Sequence, residues 1–181
     1  TKKNNLIIGI GRLTRQKNFL LLVRAFKQIL IKYPNYHLIL LGEGEEKDLL
    51  IKEVKKLEIQ DKVSFLGYQE NVYKYLLNSD CFILTSLWED PGFVLLEAAL
   101  SNTLIISSNC PNGPNEILSN GQNGFLFQNN NLSDLLNKFD EFKNLSKNEL
   151  HKKKFLAKKK AKMFTQFSHF KSLKKIIDLN L

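Results

Sequence analysis

Cysteine is nearly absent from this sequence. Its 181 residues hold two, Cys81 inside an apolar run and Cys110 beside Pro111. Thiols so placed form neither a disulfide framework nor metal-ligand spacing, so no metal is expected, and a reducing, cytoplasmic setting is. Methionine is scarcer still: Met163 is the only one and the first residue is Thr1, which marks the chain as an expected piece of a longer protein. No apolar run approaches the roughly 20 residues that span a bilayer, and the opening Thr1-Lys2-Lys3-Asn4-Asn5 carries no signal cleavage pattern. Histidine is also sparse. His37, His151 and His169 fall in a strand, a basic helix and the tail, none beside an acid or nucleophile in sequence, so histidine catalysis is not expected.

What the chain does have is 43% apolar and 25% charged residues, the composition of one globular domain with a substantial core and not of a disordered chain. The net charge of +9 is unevenly spread. Residues 1–137 carry 14 Lys and Arg against 14 Asp and Glu, and residues 138–181 carry 13 against 4. All the basic residues of that tail are lysines, whereas readers of base edges typically use arginine, asparagine or glutamine on a defined element. A solvated helical face is therefore favoured over a polyanion or membrane-surface patch, and no nucleic-acid partner is expected.

Strand-length apolar runs alternate with helix-period segments. Leu6 to Ile10 closes at Gly11, and Phe19 to Tyr33 follows with Phe19, Leu22, Val23, Phe26, Ile29 and Leu30 on one stripe. Pro34-Asn35 stops that helix. The series continues with a strand at His37 to Leu41, a helix from about Glu45 to Leu57, a strand at Val63 to Leu66 and a short helix around Val72 to Asn78. A strand at Cys81 to Thr85, a helix from about Phe93 to Ser101 and a strand at Leu104 to Ile106 complete it. Continuous apolar strands alternating with helices predict an α/β fold, a doubly wound, Rossmann-like parallel sheet. Beyond Asn102 come a loop from Asn109 to Asn115, a turn at Gly121, a short strand at Phe125 to Phe127, a helix entry at Asn129-Asn130-Asn131 and three helical stretches. The organisation expected is one domain, with a core of about residues 5–128 and a helical extension over about 132–181.

Ligands of such sheets sit past the carboxyl ends of the strands. Gly9-Ile10-Gly11 lacks the third glycine of a dinucleotide fingerprint, Gly42-Glu43-Gly44-Glu45 sets carboxylates where a pyrophosphate needs bare amides, and no Walker loop occurs. After the first strand, however, Gly11-Arg12-Leu13-Thr14-Arg15-Gln16-Lys17-Asn18 offers cations in a loop that opens a helix, a fit for phosphate. After the fourth, Ser86-Leu87-Trp88-Glu89-Asp90-Pro91-Gly92-Phe93 turns into a helix holding Glu97. An anion could occupy that place if it brought hydroxyls for Glu89 and Glu97 to accept from. A nucleotide sugar supplies both.

These residues resemble the C-terminal, donor-binding half of GT-B glycosyltransferases of family 4, the retaining glycosyl transferases group 1. The likeness rests on G-R-L-x-x-x-K-N at Gly11 to Asn18, E-x7-E at Glu89 and Glu97 followed by Ala98-Ala99, and Gly113-Pro114-Asn115-Glu116-Ile117. Phe65-Leu66-Gly67 and Asn123-Gly124-Phe125-Leu126-Phe127 match in place and order. The resemblance implies that Arg12 and Lys17 bind the diphosphate and stabilise the leaving nucleoside diphosphate, beside Gly11. It implies that Glu97 accepts from the ribose hydroxyls and that backbone groups of Tyr68 and Gln69 meet the base. Glu89 and the amides of Gly92, Phe93 and Val94 would hold the transferred sugar. Arg12, Lys17 and Glu89 are thus the implied catalytic residues, and no cofactor is implied, the donor being a substrate. Where the family often has E-G-F-G, this chain has Glu89-Asp90-Pro91-Gly92-Phe93.

The implied partners are a nucleotide-sugar donor and, through an N-terminal half missing from this chain, an acceptor sugar or glycolipid of cell-surface polysaccharide or lipopolysaccharide synthesis. A nucleotide-binding module without transfer, or a GT-B epimerase, are the alternatives. Trp88 and Phe93 read as core or pocket wall, Asn18 as a natural N-cap, and Glu116 as favouring its own helix N-terminus. In the tail, Leu150, Phe155, Leu156, Met163 and Phe164 stand among lysines, and Phe155, Phe164, Phe167 and Phe170 have spacings that suit a packed helix face. One face is expected to pack while the ammonium groups stay in water or meet an anionic membrane surface.

Overall fold

The computed structural model describes residues 5–164 and, after them, Ser168, Phe170, Lys171, Leu173, Lys174 and Ile177. Residues 1–4, Phe167, His169 and the rest of the expected extension past Phe164 lie outside the described residues. Six parallel strands form one sheet in the order β3-β2-β1-β4-β5-β6. They are β1 Leu6–Ile10, β2 His37–Leu41, β3 Val63–Phe65, β4 Cys81–Leu84, β5 Leu104–Ser108 and β6 Phe125–Phe127. The helices are α1 Phe19–Lys32, α2 Lys47–Lys56, α3 Tyr73–Leu76, α4 Phe93–Leu100, α5 Pro114–Ile117, α6 Leu132–Asn144 and α7 Lys147–Ala161. The predicted doubly wound sheet is thus present.

Successive strand residues point to opposite faces, and each face has its own cover. Ile7, Leu38, Leu40, Cys81, Ile83, Leu104 and Ile106 pack with Leu22, Phe26 and Ile29 of α1, Leu50 and Val54 of α2, and Leu135 and Phe139 of α6. Ile8, Ile10, Phe82, Leu84 and Ile105 pack against Leu76 of α3, Leu95, Ala98 and Ala99 of α4, Ile117 of α5, and Ala157 and Ala161 of α7. Burial raises the pKa of the Cys81 thiol, an inert core group.

Three differences from the sequence reading have physical causes. β5 runs on through Ser107 and Ser108, which the apolar run omits; both are buried because their hydroxyls donate to the carbonyls of Ser108 and Ser86, at 2.9 and 2.7 Å. The predicted packing of large tail residues occurs only in part: Leu150 packs against the core and Leu156 is partly buried. Phe155, Met163, Phe164 and Phe170 are exposed, and it is Ala157 and Ala161 that let α7 approach the sheet. Asn18 does hold the cap position of α1, but in a left-handed conformation with no side-chain bond to the helix, its amide donating instead to Asn130. The expected entry at Asn131 is a true cap of α6, and Ser146 with Glu149 makes a capping box for α7.

Lys153 of α7 anchors the turn before β6. Its ammonium donates to the carbonyls of Gly121 and Gly124, both at 3.0 Å, and stands 4.6 Å from the Phe125 ring centroid. Lys153→Met removes charge-assisted bonds from carbonyls that are part-buried, so thermal unfolding should show a loss of about 1–2 kcal/mol. An unchanged melting temperature would mean that water replaces the ammonium at no cost.

Candidate functional site

Between β1 and β4 the chain order reverses, and a crevice lies past the carboxyl ends of β1, β2 and β3, with Glu97 of α4 in its wall. The loops after β1, β2 and β3 are strapped together along its edge. Gly11 N–H donates to Leu41 O at 3.0 Å, Leu13 N–H to Glu43 O at 2.9 Å, and Gly42 N–H to Gly67 O at 2.8 Å. A Cβ on Gly42 would lie 1.9 Å from Gly11 O, and one on Gly44 2.3 Å from Leu13 O. These glycines exist so that two backbones can touch, which explains a glycine pair that fits no phosphate motif.

The crevice has a volume of about 620 Å³ and is lined by Gly11, Arg12, Glu43, Tyr68, Gln69, Val72, Tyr73 and Glu97. Arg12 is exposed and makes no side-chain bond among the described residues. Its guanidinium is available to a ligand. Glu97 is half-buried on α4, and burial raises its pKa above the usual carboxylate range. Gln69 is fixed at both ends of its amide, donating to Leu66 O at 2.8 Å and accepting from Tyr75 Oη at 2.9 Å. Tyr68 projects to solvent at the rim. Glu43, which pairs with Lys47 at 3.1 Å, was not singled out from the sequence, although its place just past β2 was the available signal.

Lys17 and Glu89 do not line this crevice; they form a second cluster beside it. Lys17 Nζ donates to both carboxylate oxygens of Glu89, at 2.6 and 2.8 Å, and the two side chains are 14% and 3% exposed. The stem of Lys17 runs past Gly11, where a Cβ would stand 3.3 Å from its Cδ and Cε, so this side chain reaches from the crevice wall to Glu89. Glu89 itself lies under the turn into α4, its Cγ 3.4 Å from where a Gly92 Cβ would be. Gly92 is left-handed there, and the amides of Phe93 and Val94 open the helix without intrahelical acceptors. The Asp90-Pro91 bond preceding this turn is cis.

The expectation that Trp88 and Phe93 are core or pocket wall is wrong: they are 47% and 65% exposed and stand outside the crevice lining. The Trp88 carbonyl, not its ring, does the structural work, accepting from Gln16 Nε2 at 2.9 Å. Glu116 lies exposed in the first turn of the four-residue α5, as a helix N-terminus favours. Cys110 is buried near Glu89, and both burial and that carboxylate raise its pKa. His37 is bonded to Ser64 Oγ at 2.9 Å on β2, and burial lowers its pKa. Among the described residues no three of His, Cys, Asp and Glu gather as a metal site, and no helix is long and apolar enough to cross a membrane.

Comparison with known proteins gives a consistent set of likenesses. The family model for glycosyl transferases group 1 matches residues 1–174. An uncharacterized glycosyltransferase of Methanocaldococcus jannaschii is 45% identical over 117 residues, 65% of this chain and 29% of the relative. The N-acetylgalactosamine-N,N'-diacetylbacillosaminyl-diphospho-undecaprenol 4-alpha-N-acetylgalactosaminyltransferase of Campylobacter jejuni is 29% identical over 90% of this chain and 43% of its own length. This chain therefore spans less than half the length of these relatives. Among solved structures, Anabaena HepE in complex with UDP and glucose superposes with a TM-score of 0.85 at 22% identity, over 97% of this chain and 48% of that one. A mutant of S. aureus TarM in complex with fondaparinux, alpha-GlcNAc-glycerol and UDP gives 0.86 at 22% identity, over 98% and 35%. The two share the GT-B fold.

Proposed function

Since the chain belongs to the glycosyl transferases group 1 family, we propose that it is the donor-binding half of a retaining GT-B glycosyltransferase of family 4. The observation that carries this reading is one crevice, past the carboxyl ends of β1, β2 and β3 and walled by α4, that gathers Arg12, Tyr68, Gln69 and Glu97, with the Lys17–Glu89 pair adjoining it. The base lies against the backbone of Tyr68 and Gln69, the ribose hydroxyls donate to Glu97, and the diphosphate meets Arg12 and Lys17. A lysine ammonium has three donors. Two of them go to Glu89, which leaves the third for a phosphate oxygen.

Transfer breaks the bond between the anomeric carbon and the β-phosphate oxygen and forms one to an acceptor oxygen, whose hydroxyl proton passes to the departing diphosphate, with configuration retained. Arg12 and Lys17 stabilise the negative charge that builds on the leaving nucleoside diphosphate. Glu89 and the amides of Gly92, Phe93 and Val94 hold the sugar, and the carboxylate faces the positive charge growing at its anomeric carbon. The acceptor, a sugar or glycolipid of cell-surface polysaccharide or lipopolysaccharide synthesis, is held by a second, N-terminal half. By itself this chain binds donor and transfers poorly. The enzyme works in the cytoplasm, where the exposed Lys147, Lys152 and Lys159 of α7 stay in water or meet anionic lipid.

Titration calorimetry with UDP, GDP and ADP, each free and as its glucose or N-acetylglucosamine conjugate, tests the donor site. Arg12→Ala should weaken every nucleotide that the parent binds by about tenfold or more, since it removes charge-assisted bonds. Glu97→Ala should weaken the free diphosphate and the conjugate alike, because they share the ribose, whereas Glu89→Gln should penalise the conjugate alone. Burial holds the Glu97 pKa high, so its carboxylate takes up a proton early on acidification. Affinity for both forms should then fall as pH drops through that range. If Arg12→Ala binds as tightly as the parent, the phosphates sit elsewhere.

A further inference from the structure

Glu89 is gripped from two sides, and the second grip has no place in the roles assigned so far. Ser86, two residues past the end of β4, is fully buried, and its hydroxyl donates to Glu89 Oε1. Its carbonyl accepts in turn from Ser108 Oγ at 2.7 Å, and Ser108 is itself buried at the end of β5. Its neighbour Thr85 donates from Oγ1 to the Lys17 carbonyl at 2.9 Å, and Leu87 N–H donates to Gln16 O at 2.8 Å. Asn129, just past β6, donates from its amide to Leu87 O at 2.9 Å. The segment carrying Ser86 is thus tied to the loops that follow β1 and β6 and to the end of β5.

The two grips differ mechanically. Lys17 holds Glu89 by the tip of a four-carbon chain, and its ammonium must also serve a phosphate when donor is bound. Ser86 holds the same carboxylate by a one-carbon side chain on a segment fixed by two neighbouring loops and the end of β5. A carboxylate held by Lys17 alone would follow the ammonium toward the phosphate and lose its aim at the sugar. We propose that Ser86 is a positioning residue for sugar recognition: its buried hydroxyl keeps Glu89 facing the transferred sugar while Lys17 engages the diphosphate. With Oε1 taken by Lys17 and Ser86 and one bond from Lys17 on Oε2, an acceptor site remains on Oε2 for a sugar hydroxyl.

This inference rests on the donor site proposed above, and the experiment separates the two. The affinity of this chain for UDP, GDP and ADP, and for their glucose and N-acetylglucosamine conjugates, is measured by calorimetry for the parent, Ser86→Ala and Ser86→Cys, with the melting temperature of each. Ser86→Ala should hold the free diphosphate within about twofold of the parent while the conjugate weakens roughly tenfold, the worth of one charge-assisted bond. Ser86→Cys keeps the volume but donates weakly, so it should lose the conjugate too, and it carries the test alone if the alanine variant does not fold. A general loosening of the fold would weaken both ligands alike. Equal losses, no loss, or parental conjugate binding by Ser86→Cys overturns the role of the hydroxyl and leaves the donor site standing. A parent chain that binds no nucleotide overturns the donor site and this role with it.

Discussion

Lys17→Met lowers the folding stability of this chain by about 3–5 kcal/mol, the expected cost of leaving a buried carboxylate without its cation. Glu89 is 3% exposed and receives two bonds from one ammonium, so little water can take over that role. For a chain of this size the loss corresponds to a melting temperature lower by roughly 6–20 °C, measurable by calorimetry. Restoring the balance should recover most of it: Lys17→Met combined with Glu89→Met replaces a buried pair with apolar groups of similar length, a change that is often neutral. The double variant should therefore melt well above the single one while failing to distinguish sugar conjugates. A single variant that loses less than about 1 kcal/mol would show that Ser86 alone satisfies the carboxylate.

Gly42→Ala should cost about 2–5 kcal/mol and abolish nucleotide binding as well. Its Cβ would fall 1.9 Å from Gly11 O, and φ there is +137°, so steric overlap adds to backbone strain. The β1 and β2 loops can separate only by moving the segment that bears Arg12. Gly121→Ala is the control: φ is +84°, yet nothing lies within 4 Å of the added carbon, so only the strain of about 1 kcal/mol should appear. Equal melting temperatures for the two variants would refute the close approach of the loops.

The sheet was legible because its strands are covered on both faces and so read as unbroken apolar runs. Legibility failed where burial is purchased with hydrogen bonds instead of hydrocarbon, as at Ser107 and Ser108. It failed again where close helix packing selects small residues, so that Ala157 and Ala161 meet the sheet while Phe155 faces water. At the site, the rule that ligands lie past strand ends pointed to the loop bearing Arg12 as a phosphate partner and to Glu89 and Glu97 as hydroxyl acceptors, whereas Tyr68 and Gln69 came from the family resemblance alone. The Lys17–Glu89 pair joins residues 72 apart in sequence, and no local pattern announces it. The same holds for Ser86, whose partner is near in sequence but whose fixed position depends on Ser108 and the other strand-end loops.

The strand order has a consequence in time as well as in space. β1 comes first in this chain yet occupies the middle of the sheet, and its partner β4 is made only after β2 and β3. The unit β1 to β3 can consolidate first, whereas the pairing of Ile7 with Cys81 and Ile8 with Phe82 must wait for a long loop to close. The crevice straddles that seam, with Arg12 on the early half and Glu97 on the late one. Competence to bind nucleotide should thus be among the last properties that the chain acquires as it leaves the ribosome.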